Sequence, residues 1–325
     1  MEIKKKYFEK ILAGIFVIFF AGFITSCGSK SKAENNGIVT PEMEGRITLS
    51  GAFALYPLVN VWAEEFRKEY PNIRINISGG GAGKGMADVM MGAADLGMFS
   101  RDFSEAEKSR GVWWVAVTKD AVIPTISDKN PFIDQLRKEG ITQKELSHIF
   151  LAEGKKTWKN SGESIMVYTR ADAAGAAATW AEYLEGAGQE SLKGIAVYGD
   201  PGVADAVKND PLALGYNNVI YIYDITSGKK YPGLDVLPID VNGNGQIDPE
   251  ENFYDNLNQI SDAIATGRYP APPARELYLI SNGAPKKTEV KIFLKWILTK
   301  GQAFVEDNGY IRLKAEILKA QTEKL

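Results

Sequence analysis

The run Ser78-Gly79-Gly80-Gly81-Ala82-Gly83-Lys84-Gly85 concentrates groups that could hold an anion. It follows an alternating stretch, Ile73-Arg74-Ile75-Asn76-Ile77, that reads as a strand, and it precedes a helical stretch from Met86 to Met91. Glycine lets the backbone approach a ligand closely, and a helix start leaves its first N–H groups without partners. Together they suit an anion. A P-loop needs Gly at 78 and Ser or Thr at 85, where this chain has Ser78 and Gly85, and G-x-G-x-x-G fits no register. The run therefore lacks a nucleotide signature, and taken alone it also reads as a packing loop.

A second constellation is separate. Residues 240–251 match the twelve-position EF-hand loop. Asp240, Asn242 and Asn244 fill the first oxygen positions, with Gly245 at the sharp turn. Gln246 offers its carbonyl, Asp248 the water-linked position and Glu251 the bidentate carboxylate. The expected cofactor is a structural calcium ion, with no organic cofactor. Val236–Ile239, which enters the loop, reads as extended, so the loop is expected to stand alone; a polar Asn-Gly hairpin is the other reading.

The only histidine is His148 and the only cysteine Cys27, too few for a His-based triad, a Cys–His pair or a zinc cluster. A net charge of −3 gives no reason to expect nucleic acid. Lys4, Lys5 and Lys6, an apolar run from Ile11 to Ile24, and Cys27 after small residues form a processing signal. Ile24-Thr25-Ser26-Cys27-Gly28 resembles a bacterial lipobox. Residues 1–26 are then a signal peptide, and 27–45 a lipidated Cys27 with its tether. The soluble body is expected on an extracytoplasmic membrane face.

Strands and helices alternate through the body, which favours a parallel α/β arrangement. Strands are expected at Ile47–Leu49, Ile73–Ile77, Ala94–Arg101, Trp113–Val117, Ala121–Ile126, Ile165–Thr169, Gly194–Gly199, Leu212–Tyr216, Val219–Tyr223, Val236–Ile239 and Glu276–Ser281. Helices are expected near Tyr56–Phe66, Phe132–Gly140, Thr142–Phe150, Ala176–Tyr183, Phe253–Thr266 and Thr288–Thr299. Arg101 and Arg170 follow strand ends, the edge at which open α/β sheets bind ligands, and a guanidinium fork suits a tetrahedral oxyanion.

The segments Leu49–Val59, Ser78–Gly83, Asp95–Arg101 and Tyr168-Thr169-Arg170 occur in the order and spacing of PstS-type phosphate-binding receptors of ABC transporters. The chain resembles that family from about Ile47 to Leu313. The resemblance implies an α/β, two-lobed periplasmic-binding-protein-like fold, each lobe a mostly parallel sheet flanked by helices, joined by two crossing strands. Residues 46–125 with 271–325 would form lobe 1, and 126–270 lobe 2. It places the anion contacts at Phe53, Ala54, Ala82, Gly83, Ser100, Arg101, Arg170, Ala174, Gly175 and Ala176. The implied role is capture of inorganic phosphate for an ABC permease by a monomer that catalyses nothing. Ala54, Ala82, Ala174 and Ala176 stand where the family often has hydroxyls, and Arg101 near where it often has an acid. Sulfate or molybdate are therefore alternative ligands. A surface or signalling module and a phosphatase are the rival functions.

Overall fold

The computed structural model describes residues 43–159 and 161–325. The expected signal peptide, Cys27 and residues 28–42 of the tether lie outside the described residues.

In chain order the elements begin with strand β1 (Gly45–Gly51), helix α1 (Tyr56–Glu69), β2 (Ile73–Gly79), α2 (Ala82–Met90), β3 (Leu96–Phe99) and α3 (Glu105–Ser109). The long strand β4 (Val112–Ser127) follows, then α4 (Ile133–Glu139), α5 (Gln143–Leu151), β5 (Met166–Arg170) and α6 (Gly175–Tyr183). Next come β6 (Ile195–Val197), α7 (Gly199–Asn209), β7 (Ala213–Asn218), β8 (Leu234–Val236) and α8 (Leu257–Thr266). β9 (Ala274–Asn282), α9 (Thr288–Leu298) and α10 (Ala315–Thr322) complete the chain.

Local chemistry accounts for several boundaries. Leu58, Val59, Trp62, Ala63 and Phe66 form the buried stripe of α1, with Pro57 in its first turn. Thr142 and Glu145 form a reciprocal capping box on α5. Asn256 caps α8, so this helix starts at Leu257 and not at Phe253. Gly267, at φ +79°, ends it.

The strands connect in the order β2-β1-β3-β9-β4-β7-β5-β6, with β8 also on β4. β1 pairs in parallel with β2 and β3, and β5 in parallel with β6 and β7, while β4 and β9 run antiparallel to their neighbours. Two hydrophobic cores define the lobes. Ile47, Trp62, Phe66, Leu96 and Phe293 belong to one; Phe150, Trp180, Tyr216, Tyr223 and Ile260 belong to the other. β4 crosses between them: Val112, Val115 and Val117 pack in the first, Ala121, Val122, Ile123 and Ile126 in the second. Residues 121–125 thus pack with lobe 2, ahead of the expected boundary. β9 lies beside β4 from Ala274 to Asn282 and returns the chain to lobe 1.

The two strands expected at Trp113–Val117 and Ala121–Ile126 are one strand. Thr118-Lys119-Asp120 reads as a polar interruption, yet Asp120 lies in register with Arg275 of β9 and pairs with it. Val219–Tyr223 is not a strand; Val219–Tyr221 form a 3-10 turn. Helix α7 was not expected: its first residue, Gly199, falls at the end of the strand expected over Gly194–Gly199, and Pro201 is tolerated in the first turn.

Candidate anion-binding site

Three loops meet where the lobes face each other. The first follows β1, the second joins β2 to α2, and the third joins β5 to α6. Gly81, at φ +87°, donates its N–H to the Gly51 carbonyl (3.1 Å), which ties the first two loops. A Cβ at Gly81 would lie 2.7 Å from both the Asp172 carboxylate and the Ala173 carbonyl, so glycine is required by space as well as by φ. Gly83 donates to the Ala173 carbonyl across the lobes (2.9 Å). Gly175 packs on Ser100: a Cβ there would stand 2.2 Å from the Ser100 Oγ. Ser100 itself is buried.

The expected contacts divide into groups. Gly83 and Ala174 donate to protein acceptors, Gly83 as above and Ala174 to Gln189 Oε1 (2.9 Å). Among the described residues, the amides of Phe53, Ala54, Ala82, Gly175 and Ala176 have no protein acceptor; Ala82, Gly175 and Ala176 open the first turns of α2 and α6. The Phe53 ring stands between Gly79 of lobe 1 and Gly199 of lobe 2, with the Arg170 guanidinium 5.6 Å from its centre. Tyr221 donates to the Phe53 carbonyl (2.9 Å) and Tyr310 to the Ala54 carbonyl (2.7 Å), so hydroxyls brace the first loop from behind.

Arg170 is buried and engaged on every side of its fork. Nε and Nη2 donate to Asp172 (2.8 and 2.6 Å), and Nη1 donates to Asp200 (2.5 Å). Burial opposes its charge, but Asp200 and Asp172 outweigh that and push its pKa above the ordinary value. Burial likewise opposes the Asp172 carboxylate; Arg170 and the Gly199 amide overcome it and hold its pKa below normal. One guanidinium between two carboxylates gives no surplus positive charge. The groups left for an oxyanion here are main-chain N–H dipoles, with the Ser100 hydroxyl beside Gly175.

Arg101 is not brought into this cluster. Its fork grips Glu107 on its own lobe (2.9 and 2.6 Å) and its guanidinium lies 4.5 Å from the centre of the Phe99 ring. The cause is local. Glu107 is held by the α3 capping box with Ser104, which fixes a carboxylate within reach of the arginine. The expectation that Arg101 and Arg170 converge is corrected accordingly.

Behind the site a second buried network joins the crossing strands to α6. Arg275 of β9 donates to Asp120 of β4 (3.0 Å), to Thr179 of α6 (3.0 Å) and to Asn218 at the end of β7. Asn218 N–H donates to Asp200 (3.1 Å), the carboxylate that holds Arg170. Burial raises the Asp120 pKa against the pull of Arg275, and Asp200 adds to the rise. Asp172, Asp200, Gln189, Tyr221 and Tyr310 were not among the expected site residues. Asp172 was visible beside Arg170, whereas Asp200 arrives on the unforeseen α7.

The acidic loop folds on itself. Asp240 accepts from the N–H groups of Gly243 (2.7 Å) and Gly245 (2.8 Å), and Glu251 from those of Val241 (2.9 Å), Asn242 (3.1 Å) and Asp248 (3.2 Å). Asn242 and Asn244 each donate a side-chain N–H to Asp248. Asp240 and Glu251 are buried. The oxygen-rich donor set is of the kind calcium takes. Among the described residues no three Asp, Glu, His or Cys side chains gather as a metal cluster, so the loop's Asn and main-chain oxygens would have to complete any coordination.

Two lobes, two crossing strands and a cradle of amides between them define a solute-binding protein of the two-lobed type. A family model described as PBP superfamily domain matches residues 33–300, and the chain belongs to that family. The chain is 28% identical over 314 residues to the phosphate-binding protein PstS of Bacillus subtilis, covering 93% of this chain and 94% of that one. It is 26% identical to PstS of Methanocaldococcus jannaschii, covering 96% and 94%. Among solved structures, a Clostridium perfringens protein crystallised with bound phosphate superposes with a TM-score of 0.67 at 21% identity, over 83% of this chain and all of that one. An ABC-type phosphate transport receptor from Vibrio cholerae gives 0.59 at 17% identity, over 82% and 100%. These likenesses concern the fold. Among the described residues no helix is long and apolar enough to cross a membrane.

Proposed function

We propose that this chain is an extracytoplasmic receptor that captures inorganic phosphate between its lobes and delivers it to an ABC permease. The observation that carries the reading is the meeting of three loops between the lobes, which leaves the amides of Phe53, Ala54, Ala82, Gly175 and Ala176 without protein acceptors. Such donors stabilise an oxyanion without adding a charge. Arg170 acts indirectly, fixing the β5–α6 loop through Asp172. Nothing in this reading makes or breaks a bond. The names of the curated relatives support phosphate as the ligand. Calorimetric titration of the purified chain tests it: saturable phosphate heat is expected. Clear sulfate or molybdate binding without phosphate heat would replace the ligand, and no anion binding would remove the receptor role.

Two further parts of the reading stand on their own experiments. The mature chain is tethered as a monomer by lipid on Cys27. A Cys27→Ala variant should then leave the membrane fraction, and unchanged fractionation would reject the tether. Calcium occupies residues 240–251 as a structural ion. Equilibrium dialysis should retain about one calcium per chain, a stoichiometry set by the single loop, and Glu251→Gln should lose its bidentate ligand and most retention.

A further inference from the structure

Lobe 2 contains a cavity of about 350 Å³ that lies apart from the anion cradle. Its apolar wall is built by Leu136, Ile141, Ile149, Trp158 and Ile165, each less than a tenth exposed. The wall is braced from behind by the acidic loop. The Ile247 N–H donates to the Lys138 carbonyl (2.8 Å) and the Asp240 N–H to the Ile141 carbonyl (3.0 Å). Gly140, at φ +66°, leaves room for the Ile247 side chain, which a Cβ would meet at 2.4 Å. The shape is therefore held by hydrogen bonds on both sides of Gly140.

The rim has a definite charge. Lys159 pairs with Glu145 (2.7 Å), whose carboxylate also accepts from the Thr142 N–H (2.9 Å). Lys144 lies on the same rim and, among the described residues, has no carboxylate partner. Two ammonium groups against one carboxylate leave one positive charge beside an apolar interior, with the His148 ring and the Thr157 hydroxyl as further polar lining groups. A cavity of this size, mostly apolar with a few polar groups at one edge, is built as small-molecule sites are.

We propose that this cavity is a second ligand site, taking a small amphipathic anion. A short alkyl chain or an aromatic ring fills the space between Ile149, Trp158 and Ile165, and a carboxylate or sulfonate rests at Lys144. The site is independent of the phosphate reading and needs no movement of the lobes.

A series of straight-chain carboxylates, butanoate to decanoate, titrated into the full chain tests the proposal, with octanol as the uncharged arm. Affinity should rise about fourfold per methylene and level off when the cavity is full. Octanol should bind more weakly than octanoate, and Lys144→Gln should remove that advantage, a change of about threefold, while leaving octanol binding as it was. Ile165→Trp should abolish binding of every probe and leave the phosphate titration intact. As a check that needs no variant, octanoate should shift the methyl resonances of Ile141, Ile149 and Ile165. Absence of saturable binding, unshifted methyls, or undiminished binding in folded Ile165→Trp would overturn the site. Equal octanoate and octanol affinities would overturn its anionic character.

Discussion

Arg101 and Arg170 occupy matching places, each at or just beyond the carboxyl end of a strand, and they come to different ends. Arg170 is sealed between Asp172 and Asp200 and shapes the floor of the cradle. Arg101 stays half-buried at the edge of lobe 1, folded back on Glu107 and Phe99. Position along a strand thus selects neither the direction of a long side chain nor its task. The carboxylates within reach decide: for Arg101 one six residues away, for Arg170 two, at two and thirty residues.

The largest effect should come from breaking the buried side of this pair. Arg170→Met leaves two buried carboxylates unpaired and should cost about 3–5 kcal/mol of stability, read by denaturant unfolding. A cost below that of a surface pair would mean that Asp172 and Asp200 find water or other partners. Next comes the contact that closes the lobes. Gly175→Ala drives a Cβ into Ser100, and overpacking of this kind costs about 1–3 kcal/mol. Because the contact lies between lobes, the loss should appear as phosphate affinity weakened by about 10- to 100-fold, with thermal stability nearly kept. Unchanged affinity would show that the lobes need not meet there.

The two acids that serve the buried networks should respond oppositely to pH. Asp172 has a lowered pKa when folded, so its contribution is present above the ordinary carboxylate range and lost as pH falls through the folded value. Asp120 has a raised one, so its contribution is full below the ordinary range and lost as pH rises through the folded value. Unfolding free energies followed from pH 3 to 8 should therefore change slope below the ordinary carboxylate range in Asp172→Asn and above it in Asp120→Asn, by about 1.4 kcal/mol for each pH unit over which the states differ by a proton. Slopes altered in the same direction would contradict the assignment. The smallest effect belongs to Arg101→Gln, which removes a partly exposed ion pair and should stay within about 1 kcal/mol, with phosphate affinity held. A large loss of affinity would return Arg101 to the binding site.

The glycine run, the alternating strand before it and most helices were legible because their signals are local: a period of two, a period of 3.6, and residues that suit turns and caps. Arg170's partners were only half legible. Asp172 is two residues away, but Asp200 depends on α7, whose opening Gly-Asp-Pro-Gly carries the signature of a turn. Along the sequence β4 looks like two strands, since Thr118, Lys119 and Asp120 are polar; only the antiparallel register with β9 supplies Arg275 as the answering charge. Sites whose parts meet through register, or through a helix hidden behind turn residues, escape a reading that moves along the chain.

The Tyr310 hydroxyl reaches the Ala54 carbonyl across 256 positions of sequence. The order of synthesis gives that bond a meaning. A nascent chain that has made every strand of both lobes has the Tyr221 brace behind its first loop but still lacks the second, from Tyr310. Truncation before Tyr310 should accordingly weaken the hold on the solute rather than abolish it, because Tyr221 still braces the Phe53 carbonyl.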